Sequence, residues 1–594
     1  MIEPYTGRRA KLRMAAYDLE WYPGSYEVRL VGCLDERGYR SYPSVEAFLT
    51  GELTSANRGR VFFAHAGGLA DVQFLLAEIL KNPRNGLRVS GSFSGSSLIR
   101  CTIHQGEHSW VFADSFWLFR DSLAKIGESV GLAKLGGSYQ CPNAPACGHE
   151  PNHCVFYAPA AELRAYNERD CVILFEALKR FEREILELGG KLRQTIAATA
   201  LILFRSRFLT ETVPTDSRLN RLSREAYVAS RCEVFQRNCG AANYYDINSS
   251  FPASMVGELP GGLESVSRQW QGQRTSIVDA TVRIAHQIPP VPVRIKGRVF
   301  FPVGTFRRLM SGEDLHLVLE SGGDVLSVHE SWNFSPFFAL GDYVHEIYEL
   351  RRASPDPFRR LVYKYLLNSL YGKFGEGEEK SELLIRPDKR PVCSGSAKCR
   401  RACTCVVSIS PGVFKARKIV EIAHAHLPLG CVITSRSRAL LTRSLWKSAP
   451  IYCDTDSNIT EGTLETSDKL GAMKLEKTIT RGEFLSPKLY RLNPGPEIRS
   501  KGFSRLSSIE FDALAQGEPV AIRRMKRIQE NLSDGGIDPR DAEFFKRATS
   551  HLTAEELRAR GLNPRLALRP KRAFEAGGGS RPWEIGELEP SPGI

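Results

Sequence analysis

In IYCDTDSNI, residues 451–459, Asp454 and Asp456 flank a single threonine between short apolar runs. That pattern predicts a tight hairpin with acids at its tip. Anions held this close repel each other, and a bound divalent cation is the usual means of neutralising them. Upstream, NYYDINSSFP (243–252) carries Asp246 on an aromatic-rich strand that turns at Asn248, Ser249 and Pro252, a composition suited to a strand end opening onto a cleft. Two acid-bearing strands can hold two metal ions about 3.5–4 Å apart, the clamp that stabilises attacking and leaving oxygens in phosphoryl transfer.

A second acid set lies earlier. In MAAYDLE (14–20), Asp18 and Glu20 are two apart and project from one strand face. Asp71 follows a Gly-rich turn between an apolar strand and a helix in VFFAHAGGLADVQFLL. Tyr166 and Asp170 are four apart in LRAYNERDCVILFEAL and share a helix face. Any one of these alone reads more readily as a surface acid; together, in this order and spacing, four acids from three elements suit two metal ions, with the tyrosine orienting a water for attack on a phosphodiester.

Phe358–Phe374, FRRLVYKYLLNSLYGKF, has helical periodicity, with Lys364, Asn368 and Tyr371 on one face and Val362, Leu366 and Leu370 on another. An ammonium beside an aromatic ring suits a nucleotide triphosphate and its base, although an amphipathic core helix would show the same apolar stripe.

These elements need a large scaffold, and 594 residues with 42% hydrophobic content supply several cores. Lys plus Arg exceed Asp plus Glu by 81 to 67, which favours a polyanionic partner. No apolar run approaches the roughly eighteen residues that span a bilayer. The first twenty residues lack a signal-peptide core, so the expectation is a cytoplasmic, reducing setting. The fourteen cysteines then read as buried thiols or metal ligands. Cys141, Cys147, His149, His153 and Cys154 form one group and Cys393, Cys399, Cys403 and Cys405 another. Their irregular spacing leaves structural zinc and reduced thiols both open.

The motifs resemble those of family B DNA polymerases, most closely the protein-primed branch of bacteriophages, other viruses and linear plasmids. DINSSFP is similar to D-x-x-S-L-Y-P, KYLLNSLYG fits K-x-x-x-N-S-x-Y-G, YCDTDS fits Y-x-D-T-D-S, and Lys488 and Tyr490 match K-x-Y. Three exonuclease motifs match in order, and the resemblance runs from residue 15 to about 505.

It implies a multidomain α/β chain with an N-terminal RNase H-like 3'–5' exonuclease and a right-hand polymerase of palm, fingers and thumb. Asp246 and Asp456 would bind two Mg2+ (or Mn2+) ions with Asp454 in support, and Asp18, Glu20, Asp71 and Asp170 would bind two more. Lys364 would hold the triphosphate, Asn368 and Tyr371 the nascent base pair, and Phe251 would screen the sugar. Lys488, Tyr490 and Tyr227 would touch primer-template, Ser122 and Leu123 the single strand being edited, and Lys134 would match the exonuclease lysine.

The family's usual Asn and aromatic residue are Ala66 and Ala70 here, and Ala229 stands where the linker motif has glycine. The implied partners are DNA, dNTPs and a terminal protein, with the chain a monomer away from membranes. An ordinary nucleic-acid-primed polymerase and a catalytically silent nucleic-acid-binding scaffold are the alternatives.

The expected divisions are exonuclease 1–190, palm 191–261, a first insertion 262–350, fingers 351–375, a second insertion 376–406, palm 407–517 and thumb 518–594. The second insertion reads as a basic loop whose Lys389, Arg390, Lys398, Arg400 and Arg401 would bind phosphates. The Arg-rich stretch 521–574 reads as helices on duplex phosphates.

Overall fold

The computed structural model describes residues 1–8, 10–22, 24–82, 86–136, 157–386, 405–493, 497–503, 506–575 and 578–588. The cysteine–histidine group at 141–154, three of the four later cysteines and the five basic residues between 389 and 401 lie outside these.

The N-terminal module is built on a mixed sheet. Strand Met14–Trp21 pairs in parallel with Val61–Ala64, which pairs in parallel with His108–Asp114. Val28–Asp35 and Gly38–Tyr42 extend one side antiparallel, and Ser97–Gln105 and Arg88–Ser94 the other. The central strands VFFA and MAAY are wholly buried, as strands covered on both faces must be. Helix Asp71–Lys81 packs on one face and the long helix Ala160–Glu187 on the other.

This sheet does not stop at Arg88–Ser94. Glu379–Ile385 pairs with it antiparallel (Ile385 opposite Val89), and Val413–Ile419 and Val406–Ser410 follow, for ten strands in all. The described part of the second insertion is thus an annex of the N-terminal sheet. Strands 406–410 and 413–419, expected in the palm, belong to it as well, because Leu383, Ile385 and Val413 have a buried face to fill beside Val89 and Leu98.

The palm is a five-stranded antiparallel sheet in the order Met473–Ile479, Ala242–Ile247, Ser457–Thr460, Pro450–Asp454, Cys232–Val234. Helix Leu427–Trp446 lies alongside, with almost every residue buried. The first insertion forms its own sheet from Leu259–Ser267, Asp324–Phe337, Ile277–Ile284 and Gly304–Ser311. It begins slightly before 262 and its last strand ends at Phe337. Helix Ala339–Ala353 instead packs with the fingers helix through Leu340, Tyr343, Val344 and Ile347.

The expected fingers helix is broken. Pro357–Ser369 ends at Leu370 and a short turn, Tyr371–Phe374, continues it. Arg180 binds Asp356 at 2.8 Å, Tyr363 donates to Glu184, and Phe119 packs on Phe358, so this helix sits on the N-terminal module through one continuous core.

The helices expected across 521–574 are mostly absent. Val520–Met525 and Asp541–Lys546 make a β-hairpin, leaving only Ile528–Ser533 and Ala554–Ala559 as α-helices among the described residues there. The alternation of buried Val520 and Ile522 with exposed Ala521 and Arg523 is a period of two, and outweighs the charge pattern.

Candidate active sites

The palm site forms where two strand ends meet. Asp246 lies opposite Ser457 in the antiparallel pairing, and the Ile247 N–H donates to the Asp456 carbonyl at 2.8 Å. The hairpin tip turns at Thr455, in the left-handed region at φ +63°. A β-branched residue there is strained and must be held by its surroundings. Its N–H donates to the Arg231 carbonyl at 2.7 Å, and its hydroxyl to Asp454 Oδ1 at 3.0 Å.

The three acids have different fates. Lys488 Nζ lies 2.7 Å from both oxygens of Asp454. Burial, then Asp456 and Glu476, push the Asp246 carboxyl up to about 7, with Lys474 and Lys364 pulling back. Burial and Asp454 push Asp456 up to about 6. Asp246 and Asp456 therefore carry a charge conflict that Lys488 leaves unresolved, the condition a divalent cation relieves. Among the described residues no three His, Cys, Asp or Glu side chains form a preformed metal cage, at this centre or at the N-terminal one; hard cations such as Mg2+ commonly take one or two carboxylates and complete their shell with water and phosphate oxygens.

Around the acids, Lys364 and Asn368 are exposed on one helix face, as expected from their spacing. Tyr371 stacks on Phe251, ring centroids 4.1 Å apart and planes 6° apart. Tyr227 is wedged beside Gly375 and Gly430; a Cβ on Gly375 would lie 2.4 Å from its ring. Tyr490, expected against primer, is 6% exposed and packs on Tyr452 and Phe484. Its ring buttresses the hairpin, and Lys488 is the member of that pair that reaches the acids.

The N-terminal site gathers all four expected acids. Asp18 and Glu20 face Asn167, whose Nδ2 donates to Asp18 Oδ2 at 3.1 Å. Asp71 heads its helix and accepts from the Leu19 N–H at 3.1 Å. Lys134 Nζ binds Asp170 Oδ2 at 2.7 Å and lies 4.9 Å from the centre of the Tyr166 ring. Burial, then Glu20, Asp71 and Asp170, push Asp18 well above the usual carboxylate range. Glu20, through burial and then Asp170, and Asp71, through burial, each rise to about 7. Asp170 Oδ1 is buried without a hydrogen-bond partner. A buried carboxylate oxygen left open beside repelling acids fits a metal ion.

Ser122 and Leu123 are placed less directly. Ser122 caps the helix Leu123–Val130, accepting from the Lys125 N–H at 3.4 Å, and Leu123 packs against the core. The earlier Asp-Ser pair at 114–115 instead ties the loops beside Asp71. Asp114 accepts from the Gly68 N–H at 3.1 Å and the Phe116 N–H at 2.9 Å, and Ser115 contacts His65 Nδ1 at 3.1 Å. Ala66 adopts φ +59°, a conformation that asparagine accepts more readily than alanine.

Sequence reasoning also missed Asn167. Its signal was available, since it lies three residues before Asp170 on the same helix. It also explains a strand glycine: a Cβ on Gly32 would fall 1.7 Å from Asn167 Oδ1.

The fold is a multidomain α/β one in which an N-terminal mixed sheet carries one acid centre and a five-stranded antiparallel sheet carries the other. The chain resembles the family described as DNA polymerase type B, organellar and viral, whose model matches residues 157–398. A DNA-directed DNA polymerase of Enterobacteria phage PRD1 is 24% identical over 553 residues, covering 87% of this chain and 90% of that one. Probable DNA polymerases of Ascobolus immersus and Neurospora intermedia are 26% and 25% identical over 55% of this chain. The matches span only 29% and 37% of those fungal proteins, so the chain covers about a third of their length. Phi29 DNA polymerase, solved with primer-template DNA and incoming nucleotide, superposes over 90% of this chain and 99% of its own with a TM-score of 0.66 at 18% identity, a likeness of fold.

Proposed function

We propose that the chain is a DNA-templated DNA polymerase that adds dNTPs to a 3' hydroxyl and excises mismatched 3' ends at a separate centre. The observation that carries this is the pair Asp246 and Asp456, joined across adjacent strands by the Ile247–Asp456 hydrogen bond, each with its carboxyl pushed upward while Asp454 is neutralised by Lys488.

Asp246 and Asp456 would hold Mg2+ or Mn2+, which when bound polarises the phosphate and makes the 3' hydroxyl more acidic. Lys364 meets the triphosphate, and Asn368 and Tyr371 border the new base pair. Phe251, fixed by its stack on Tyr371, occupies space that a 2' hydroxyl would need. Lys488 cancels the Asp454 charge and stands where a primer end would enter. The protein's contribution is placement and charge balance, which suffices for phosphoryl transfer. For excision, Asp18, Glu20, Asp71 and Asp170 would hold the metal, while Tyr166, backed by Lys134, orients the attacking water.

The likeness to the phage enzymes favours protein-primed replication of viral or linear-plasmid DNA, which would place the work in the cytoplasm of a bacterial or virus-infected host and add a terminal protein to the partners. Primer extension with and without Mg2+ tests the polymerase reading; no extension on any primed template, with DNA binding retained, would return the scaffold reading. A protein covalently attached to the 5' end of the product would separate protein priming from nucleic-acid priming.

A further inference from the structure

Behind the hairpin tip lies an ion pair that neither catalytic centre uses. Arg231 and Glu233 have no exposed side-chain surface. Arg231 Nε and Nη2 lie 2.7 and 2.6 Å from Glu233 Oε2, Nη1 donates to the Pro289 carbonyl at 2.9 Å, and the guanidinium lies over the Phe301 ring at 4.2 Å. Nε and Nη1 are thus hydrogen-bonded, by residues of the palm edge and of the segment that carries the first insertion, while Nη2 has only its ion-pair contact with Glu233, whose Oε1 is buried without a hydrogen-bond partner.

An ion pair this deep is a poor way to stabilise a fold, because desolvation consumes most of the attraction and a packed apolar pair would serve as well. Its specific effect is directional. Arg231 also supplies the carbonyl that accepts the Thr455 N–H at 2.7 Å, and the strand that starts just after it, Cys232–Val234, pairs beside the acid-bearing one, Cys232 opposite Asp454 and Glu233 opposite Cys453. Thr455 sits at φ +63° between the two acids, a strained conformation for a β-branched residue, and the Arg231 carbonyl is the acceptor that holds its N–H.

We propose that Arg231 is a positioning residue of the palm metal site: locked by Glu233, Pro289 and Phe301, it presents its carbonyl to Thr455 and so fixes the direction of Asp456. The inference rests on the polymerase reading of that site. The same lock connects the first insertion to the hairpin, so a load on the segment around Pro289 and Phe301 is felt at the acids.

The test pairs Arg231→Met with Glu233→Leu, which removes both charges and keeps the volume, and adds Arg231→Lys, which keeps the charge and loses the fork. Mn2+ binding is counted by electron paramagnetic resonance in an Asp18→Ala, Glu20→Ala background, where only the palm site remains. Excision and melting temperature are followed in the otherwise unchanged chain.

Loss of a supporting contact of this kind weakens metal affinity or turnover by roughly 10–100-fold. The expected result is weaker Mn2+ binding and a lower kcat for extension, with the KM for dNTP, excision and the melting temperature close to wild type. Wild-type Mn2+ affinity in a folded variant overturns the proposal, as does a loss of extension expressed in the dNTP KM alone. If the double variant does not fold, Arg231→Lys decides by the same readings. If the unaltered protein extends no primer, the polymerase reading falls, while the Mn2+ titration still decides whether Arg231 positions Asp456.

Discussion

Lys488 places its ammonium 2.7 Å from both carboxylate oxygens of Asp454, and does so from a backbone at φ +63°. Both partners of this pair stand in or beside a left-handed turn, Lys488 itself and Asp454 next to Thr455, so two strained turns are closed against each other. The pair removes one of the three negative charges gathered where the hairpin meets strand Ala242–Ile247 and leaves the conflict to Asp246 and Asp456.

Lys488→Met should therefore restore that third charge. Extension is expected to slow by roughly 100-fold, the scale of losing one preorganised electrostatic group at a reacting centre. Excision, on its own acids, should hold. Single-turnover rates for both reactions on one primed template check this, and equal losses would count against it.

Asp18→Ala with Glu20→Ala should depress excision by about three orders of magnitude while extension stays near wild type. Asp456→Ala should do the reverse. The two acid sets share no side chain, and each is bounded by its own sheet. Degradation of a labelled 3' end without dNTPs, measured beside extension, reads both.

Phe251 and Tyr371 stack face to face, so the ring proposed to screen the sugar is braced by another ring. Phe251→Val should remove the bulk and raise ribonucleotide incorporation by about tenfold or more relative to dNTP. An unchanged ratio of the two kcat/KM values would assign the screening to another residue.

Stability should depend on pH and metal together. Glu20, Asp71 and Asp246 have carboxyls raised to about 7 and Asp456 to about 6, well above unfolded values near 4. The folded chain then binds protons more tightly than the unfolded one. Its favourable contribution is complete below about pH 4 and is lost as pH rises through 6 to 7. Metal-free protein should melt at a lower temperature at pH 8 than at pH 5.5, and Mn2+ should raise the melting temperature more at pH 8, where it no longer competes with protons. Equal metal-induced shifts at both pH values would contradict the charge conflict.

Leu383 is fully buried in the N-terminal core although it lies in the second insertion. Leu383→Ala should cost about 2–4 kcal/mol and show first as lost excision and easier proteolysis of the N-terminal module. Denaturant melts with excision as the second probe would test this. Replacing all of 376–406 would remove that strand, so a deletion aimed at the basic residues alone must leave Glu379–Ile385 in place.

The acids were legible because catalysis fixes residue type and spacing locally: Asp18 with Glu20, Tyr166 with Asp170, and Asp454 with Asp456 each announce a shared face or turn. The linking scaffold was not. Glu379–Ile385 looks like any short strand, and only the buried face it finds beside Val89 says where it goes. The hairpin at 520–546 carries its period-two alternation over only a few residues, beneath an arginine-rich composition that suits an exposed helix equally well. Arg231 and Asn167 went unread because each works on the site through one atom, a carbonyl in one case and an amide nitrogen in the other, which no spacing rule marks.

The ten-stranded sheet sets an order of events on the ribosome. Strands through His108–Asp114 emerge early, but the edge at Arg88–Ser94 waits for Glu379–Ile385, and the same core takes Ile528 and Leu532 from near the end of the chain, with Asn531 Nδ2 donating to Gln73 Oε1 at 2.7 Å. At about 5–20 residues per second, that edge stands open for on the order of tens of seconds. An unpaired edge is a template for pairing with another chain. Slow synthesis should therefore favour aggregation of the nascent N-terminal module, and expressing residues 1–190 alone should yield insoluble protein that a separately supplied 379–419 segment helps to keep in solution.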